Sequence, residues 1–466
     1  MRYVSTRGGA GTKSFTEVLL GGLAPDGGLY APLVWPHFSL PDWRAMRRLD
    51  YPALAARVLQ PFVGEAVPFA TLEAICRDTY RAFRHPAVVP LLQLGPRLFL
   101  AELFHGPTYA FKDMALQWLG RILDYVLAQR GERLLLLGAT SGDTGSAAIA
   151  AAAGRERLAV AILHPAGRTS EIQRRQMTTV IAPNVLNLAV EGTFDDCQDL
   201  VKALFQDPAL QPLRLGAVNS INWARIAAQI PYYVATALAL GAPEREVSFA
   251  VPTGNFGNVF AAYAARRLGL PIVRLIVASN ANDILTRFFL ANDMSLRPVV
   301  PTLAPSMDIQ VSSNFERLLF ELLDRDAAAT ASVMQRFRAE GRMEVPEAAW
   351  RRARRLFHGV RVDDEGALAE IARIHAETGY IADPHSAIGV AAARAEAPAG
   401  VPVIAMATAH PAKFAEAITR ALGSPPPLPK PLADLYEKEE RFHTVPARLA
   451  EVRAAILAFA HQNRWS

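Results

Sequence analysis

Cysteine is nearly absent from this chain: there are two in 466 residues, Cys76 and Cys197. So few exclude a disulfide scaffold, and their spacing fits no metal-binding pattern, so no metal is expected. Long apolar runs are also missing. The alanine-rich stretches are broken by charge, glycine or proline before they could cross a bilayer, so no membrane partner is expected. No apolar segment follows Arg2 and Arg7, so no secretory signal is expected and the cytoplasm is the expected location. The dinucleotide fingerprint G-x-G-x-x-G does not occur, and no internal repeat is visible. Gly8-Gly-Ala-Gly11-Thr12-Lys13-Ser14 imitates a phosphate-binding P-loop, but Thr12 parts glycine from lysine and no buried strand precedes it. Charge of one sign does not dominate either, since 49 basic and 44 acidic residues leave +5. The densest basic cluster, Arg351, Arg352, Arg354 and Arg355, follows Pro346 in a helix-like segment and reads as a solvated helix face. No nucleic-acid partner is expected from arginines so dispersed, whereas a mildly positive field suits an anionic substrate.

With 51% hydrophobic residues, the chain can bury a large core divided over two or three domains. Residues 1–90 read as a mixed N-terminal domain, with a turn into an extended run after Asp26-Gly-Gly28 and a helix over 70–83. From Val88 onward, short apolar runs alternate with glycine-rich turns and helical segments. The runs are Leu134 to Leu137, Leu158 to Leu163, Val185 to Val190, Val247 to Val251, Ile272 to Val277 and Val401 to Ala407. Such alternation predicts an α/β fold whose mostly parallel sheets are covered on both faces. Ligands then bind at the carboxyl ends of the strands. Residues 91–423 form the expected catalytic core, with a mobile subdomain around 113–218. Ser424-Pro-Pro-Pro-Leu-Pro-Lys-Pro431 reads as a stiff connector to a helical tail over 424–466.

The chemistry centres on Gly106-Pro-Thr-Tyr-Ala-Phe-Lys-Asp-Met-Ala-Leu-Gln117, where Phe104, Tyr109, Phe111 and Met114 flank Lys112. Apolar surroundings strip an ammonium of its hydration and favour the neutral amine, which can hold an aldehyde as a Schiff base. Three further stretches suit a phosphorylated aldehyde cofactor, pyridoxal phosphate, and an anionic substrate. Pro252-Thr-Gly254-Asn255-Phe256-Gly257-Asn258 lies between a strand and a helix starting near Val259, so its N–H groups can cradle a phosphate. Thr140-Ser141-Gly142-Asp143-Thr144-Gly145 presents hydroxyls and N–H groups at another helix start. Asp143 either faces an oxygen of the cofactor or caps that helix. In Val218-Asn219-Ser220-Ile221-Asn222-Trp-Ala-Arg225, Asn219 or Ser220 can cap a helix, and Arg225 offers a planar fork to phosphate or carboxylate.

Taken in order, these stretches resemble the threonine synthases, in particular the longer bacterial and fungal branch of that family. The resemblance covers most of the chain. It includes Tyr3-Val-Ser-Thr-Arg7, Leu23-Ala-Pro-Asp-Gly-Gly-Leu-Tyr-Ala-Pro32, Phe104-His-Gly-Pro-Thr-Tyr-Ala-Phe-Lys-Asp113 and His164-Pro-Ala-Gly-Arg-Thr-Ser170. Gln176-Met-Thr-Thr179, Glu191-Gly-Thr-Phe-Asp-Asp196, Ser306-Met-Asp-Ile-Gln-Val-Ser-Ser-Asn314, Asp383-Pro-His-Ser-Ala387 and Ala407-Thr-Ala-His-Pro-Ala-Lys-Phe414 extend it. It implies fold type II of the pyridoxal-phosphate enzymes, similar to the tryptophan synthase β chain, with two three-layer α/β subdomains and an N-terminal segment. It also implies conversion of O-phospho-L-homoserine and water to L-threonine and phosphate. A phospho-lyase releasing a 2-keto acid is the alternative, and a non-catalytic scaffold the remaining one. Lys112 would carry the cofactor and move protons, while Gly254, Asn255, Phe256, Gly257 and Asn258 would hold its phosphate. Thr408 would face the pyridine nitrogen, with Asp383 as rival. Asp143 would face the ring oxygen. Ser141 and Thr144 would meet the substrate carboxylate, and Asn219, Ser220 and Arg225 its phosphate. The subdomain carrying residues 141–144 is expected to swing on substrate binding. The chain is expected to be a monomer or homodimer, and His105, His385 and His410 are candidates for activating water.

Overall fold

The computed structural model describes residues 1–140, 142–218, 220–463 and 465. Two compact units are formed: Met1–Gly106 with Ser220–Pro427, and Pro107–Asn219 with Leu428–Ser466. The unit boundary near Pro427 falls inside the proline-rich stretch.

The first unit is built on a six-stranded sheet in the order Phe357–Arg361, Ile272–Ser279, Val247–Pro252, Val403–Ala407, Leu98–Glu102, Leu91–Gly95. All neighbours run parallel except the last pair, an antiparallel hairpin at one edge. Every residue of Val247–Pro252 and Val403–Ala407 is buried, as a central parallel strand with both faces covered requires. One face packs Ala250, Ile276, Ala405 and Ala407 against Ala387, Ile388 and Val390 of the helix Pro384–Glu396 and Ile371 and Ile374 of Asp364–Thr378. A small antiparallel sheet of Lys13–Ser14, Arg2–Ser5 and Tyr30–Pro32 belongs to the same unit. The segment that imitated a P-loop ends in that sheet. Ser14 caps the helix Phe15–Gly21 in a reciprocal pairing with Glu17, and Lys13 pairs with Glu17 at 3.4 Å. The basic cluster lies on the helix Glu347–Arg354. There Arg351 pairs with Glu347 at 2.7 Å, Arg352 with Asp324 at 3.1 Å, and Arg354 stacks on Trp350.

The second unit has a five-stranded, wholly parallel sheet in the order His443–Pro446, Val185–Glu191, Leu158–Pro165, Leu134–Ala139, Leu215–Ala217. Alternate residues Leu135, Leu137, Ala159, Ala161, Leu163, Leu186 and Leu188 form one core with Leu200 and Leu204 of Phe194–Gln206 and Val452 and Ile456 of Leu449–Gln462. The intervening residues Leu134, Leu136, Leu158, Val160 and Ile162 are buried as well, so both faces are covered. The tail therefore contributes a strand to this sheet as well as a helix. Among the described residues, no helix is long and apolar enough to cross a membrane.

Two boundaries differ from the sequence reading for identifiable reasons. The expected strand from Val401 starts at Val403, because Pro402 has no N–H to give the ladder. The helix expected near Val259 starts at Gly257, as Phe256 in the left-handed region (φ 63°) turns the chain into it. The strand Phe357–Arg361 was missed because it is short, partly polar and at an edge.

Within the second unit, the helices Lys112–Arg130 and Asp143–Ala152 approach closely at Gly120. A Cβ there would stand 2.5 Å from the carbonyl oxygen of Ala151, a backbone atom that cannot swing aside. Gly120→Ala is expected to force the helices apart and to cost ~1–3 kcal/mol. Urea unfolding of the purified variant would measure this, and an unchanged midpoint would contradict the close packing.

Candidate active site

In the first unit, the strand Val247–Pro252 delivers the chain to residues 253–258 and then to the helix Gly257–Arg267. That helix has no side-chain cap. Among the described residues, no hydrogen bond is made by the N–H of any residue from Gly254 to Asn258. Asn258 is buried. Its Oδ1 accepts from the hydroxyls of Tyr232 (2.5 Å) and Tyr233 (2.6 Å), while its Nδ2 has no partner. At Gly254 a Cβ would stand 2.9 Å from Ile309 Cδ1, 3.0 Å from the Ser306 carbonyl oxygen and 3.2 Å from Met307 Cα, so only glycine fits. A run of unbonded donors at a helix start, closed in by backbone, is the environment a phosphate monoester requires. The residues present fit the phosphate of pyridoxal phosphate.

The loop is shaped by a segment to which sequence reasoning gave no role. Ser312 Oγ donates to the Gly254 carbonyl oxygen (2.7 Å) and Ser313 Oγ to Asn255 Oδ1 (3.3 Å). The backbone N–H and Nδ2 of Asn314 both donate to the Asn255 carbonyl oxygen at 3.0 Å, and Nδ2 also reaches the Ser220 carbonyl oxygen at 3.2 Å. Asn314 precedes the helix Phe315–Leu322, where its residue type suggests an N-cap, yet its side chain makes no capping bond. That disguise is why no signal in the sequence separated it from an ordinary cap.

Ser220 and Arg225 lie in the same unit, and Asn219 lies outside the described residues. The expectation that Asn219 or Ser220 caps the next helix is corrected. Asn222 does so, its Oδ1 accepting from Ala224 N–H while its Nδ2 holds the Leu19 carbonyl oxygen. The Ser220 hydroxyl is thereby left without a partner among the described residues. Arg225 is buried, and desolvation draws its guanidinium down to about 10, still cationic at neutral pH. A buried cation gains from any anion brought to it.

Thr408 directly follows the strand Val403–Ala407. Its hydroxyl makes no hydrogen bond among the described residues, whereas its N–H donates to Ser386 Oγ at 3.1 Å. The rival Asp383 is committed elsewhere. It caps the helix Pro384–Glu396, with Oδ1 accepting from His385 N–H (3.0 Å) and lying 2.8 Å from His385 Nδ1, and with Oδ2 accepting from Ser386.

In the second unit, Lys112 opens the helix Lys112–Arg130, with its ε-nitrogen 5.3 Å from the centre of the Phe111 ring. It also meets Asp143, Nζ to Oδ2 at 3.5 Å, in a pair exposed by only 13% and 6%. This anionic neighbour works against the loss of charge that the apolar flank favours. Asp143 does not cap its own helix. Thr140 Oγ1 takes that role by accepting from Gly142 and Gly145 N–H at 3.0 Å, and Gln173 Nε2 donates to Asp143 Oδ1 at 2.9 Å. Of the two readings of Asp143, the capping one is thus removed. Thr144 keeps its N–H and hydroxyl unbonded among the described residues, and Ser141 lies outside them. Gln173 was missed from sequence, being one polar residue on a polar helix.

His410 sits in the first unit, T-shaped against Phe104 at 5.5 Å, with Nδ1 accepting from Ala412 N–H at 3.1 Å. Burial lowers its pKa from 6.5 to about 4, so the ring is neutral at physiological pH. The folded state then binds fewer protons than the unfolded one between these values, and stability present above pH 6.5 is lost as pH falls through about 4. His410→Asn keeps a capping acceptor and is expected to flatten this part of the acid unfolding curve. Unfolding midpoints in urea across that pH range would show it, and an unchanged slope would contradict it.

Known families match this chain along its length. A model of the threonine synthase N terminus covers residues 2–80, one of pyridoxal-phosphate dependent enzymes covers 86–339, and one of the threonine synthase C-terminal region covers 386–456. The threonine synthase of Pseudomonas aeruginosa is 52% identical over 100% of this chain and 99% of its own length. That of Saccharomyces cerevisiae is 41% identical over 90% and 89%. Among solved structures, the PLP-bound threonine synthase of Brucella melitensis superposes with a TM-score of 0.96 at 49% identity, covering 100% of this chain and 99% of its own. The yeast enzyme gives 0.94 at 38%, covering 99% of each. The chain belongs to the threonine synthase family of pyridoxal-phosphate-dependent enzymes.

Proposed function

We propose that this chain converts O-phospho-L-homoserine and water to L-threonine and phosphate, working in the cytoplasm as a monomer or homodimer. A content of only two cysteines accords with a reducing compartment. The observation that carries the functional reading is the run of N–H groups from Gly254 to Asn258 that are unbonded among the described residues, at a helix start suited to an anion.

When bound, pyridoxal phosphate supplies an electron sink for negative charge at the substrate carbon next to the amino group. The remaining work falls to the side chains. Lys112 would hold the cofactor at its aldehyde carbon, and its amine, once free, would take the protons from Cα and Cβ and return protons at Cγ and Cα. Residues 254–258 hold the cofactor phosphate through backbone N–H groups. The Thr408 hydroxyl would meet the pyridine nitrogen, which suits the commitment of Asp383 to its helix cap. Asp143, held by Gln173, would meet the ring oxygen. Ser141 and Thr144 take the substrate carboxylate. Asn219, Ser220 and Arg225 take its phosphate, and the buried guanidinium of Arg225 stabilises the charge that gathers on the leaving group at Cγ.

Water then adds at Cβ. His385 is not assigned as its base, because Nδ1 is held by Asp383 and Nε2 accepts from Ser306 N–H at 3.3 Å. His410 has Nδ1 engaged, and His105 Nε2 lies 2.8 Å from Glu102. The departing phosphate takes that proton.

Cofactor-loaded protein given O-phospho-L-homoserine is expected to form threonine in step with phosphate. Phosphate accompanied by 2-ketobutyrate with little threonine would replace this reading by a phospho-lyase, and no phosphate at all would discard the substrate. Lys112→Ala is expected to lower turnover by about a thousandfold or more, the scale of a lost proton-transfer and anchoring group.

A further inference from the structure

Asn314 touches two segments to which the proposed function gives different tasks. Its Nδ2 carries two hydrogens, one directed at the Asn255 carbonyl oxygen (3.0 Å) in the cofactor-phosphate seat and one at the Ser220 carbonyl oxygen (3.2 Å) in the segment leading to Arg225. Its Oδ1 accepts from the guanidinium of Arg317. That cation is fully buried, and desolvation lowers it to about 9. Arg317 also donates to the Tyr30 carbonyl oxygen at 2.8 Å and the Ile221 carbonyl oxygen at 2.6 Å, and it lies 5.8 Å from the Trp223 ring. Both donors of this amide are therefore used, and its orientation is fixed through the oxygen by a side chain that is itself fixed at several points. Asn314 is 0% exposed, so water cannot replace either of its donated bonds.

We propose that Asn314 is a positioning residue that sets the cofactor-phosphate seat and the substrate-phosphate segment together, so that loosening one loosens the other. This inference rests on the roles given above to residues 254–258 and 220–225. Neither carbonyl that Asn314 holds contacts a ligand; it acts through the backbone on either side of them. Displacement of Asn255 would misdirect the N–H groups of the seat, and displacement of Ser220 would carry its hydroxyl and the helix bearing Arg225 with it.

Asn314→Asp tests this with little change in shape. The variant keeps an oxygen for Arg317 and replaces both donated bonds by an oxygen facing two carbonyl oxygens. Three quantities would be measured: the Kd of the apoprotein for pyridoxal phosphate by absorbance titration, KM and kcat for O-phospho-L-homoserine at saturating cofactor, and the thermal midpoint of the apoprotein. Kd and KM are both expected to rise by about tenfold, the factor equivalent to about 1.4 kcal/mol, with kcat within about threefold and the apoprotein midpoint lowered by the loss of two buried bonds. Asn314→Ala, which loses the donors without introducing repulsion, is expected to shift the same two constants and is read in its place if the aspartate variant does not fold. A rise in only one of the two constants would overturn the coupling. So would a rise of the same size in both for Ile371→Ala, a core variant of the same unit that also lowers the midpoint, since that marks a merely structural role. Failure of the functional reading would appear differently, as no phosphate release by the wild-type protein.

Discussion

Among the described residues, consecutive backbone N–H groups over residues 254–258 find no partner, and neighbouring segments of the first unit hold the loop in that arrangement. An unpaired donor at a partly or wholly buried position costs ~1–3 kcal/mol. A loop free to move would relieve that cost by turning its donors to nearby carbonyls. It is prevented from doing so on both sides. The central strand Val247–Pro252 fixes where the loop begins, and Ser312, Ser313 and Asn314 occupy its outward-facing oxygens. With its acceptors taken and its donors left open, the loop is complementary to an anion and to little else. Phe256, in the left-handed region without being glycine, carries the strain of this arrangement at the turn into the helix.

Two buried guanidinium groups accompany that loop in the same unit. Arg317 spends its donors on the carbonyls of Tyr30 and Ile221 and on Asn314, so it ties backbone segments together. Arg225 lies on the short helix Trp223–Ala227, and its pKa is lowered by desolvation with no compensating carboxylate among the causes. From residue type alone the two arginines are equivalent, and only the folded chain shows which backbone segments Arg317 joins.

The parts of this molecule legible in the sequence are those whose local pattern admits one physical outcome. Fully apolar runs such as Leu134 to Leu137 and Val247 to Val251 became buried parallel strands, and the glycine-rich turns after them became helix starts. Lys112, with its apolar flank, came to the start of a helix beside Asp143. Legibility failed where one residue type serves two purposes. Asp143 read as a possible cap and Asp383 as a rival for the pyridine nitrogen, yet it is Asp383 that caps; Thr140 takes that role for the helix of Asp143. Asn222 caps where Asn219 or Ser220 was expected, and Asn314, placed like a cap, is turned to two loops instead. Side-chain direction depends on neighbours distant in the chain, and no window of local sequence contains them.

Parallel topology explains why the errors were so confined. In each unit, the strands that end in chemically equipped loops run the same way, so Leu134–Ala139 opens into residues 140–145, Val247–Pro252 into 253–258, and Val403–Ala407 into Thr408. A reader who finds the strands has therefore found the positions from which ligand contacts can be offered. The residues that adjust those positions obey no such rule. Asn314 and Ser312 come from the long connection between the helices Ile284–Ala291 and Phe315–Leu322, which no strand interrupts. Such a connection is free to follow whatever backbone it must brace, and its polar residues acquire meaning only from what they meet. The groups offered to ligands are thus fixed by topology and readable in advance, whereas those that hold them in place are fixed by contact and become visible only in the folded chain.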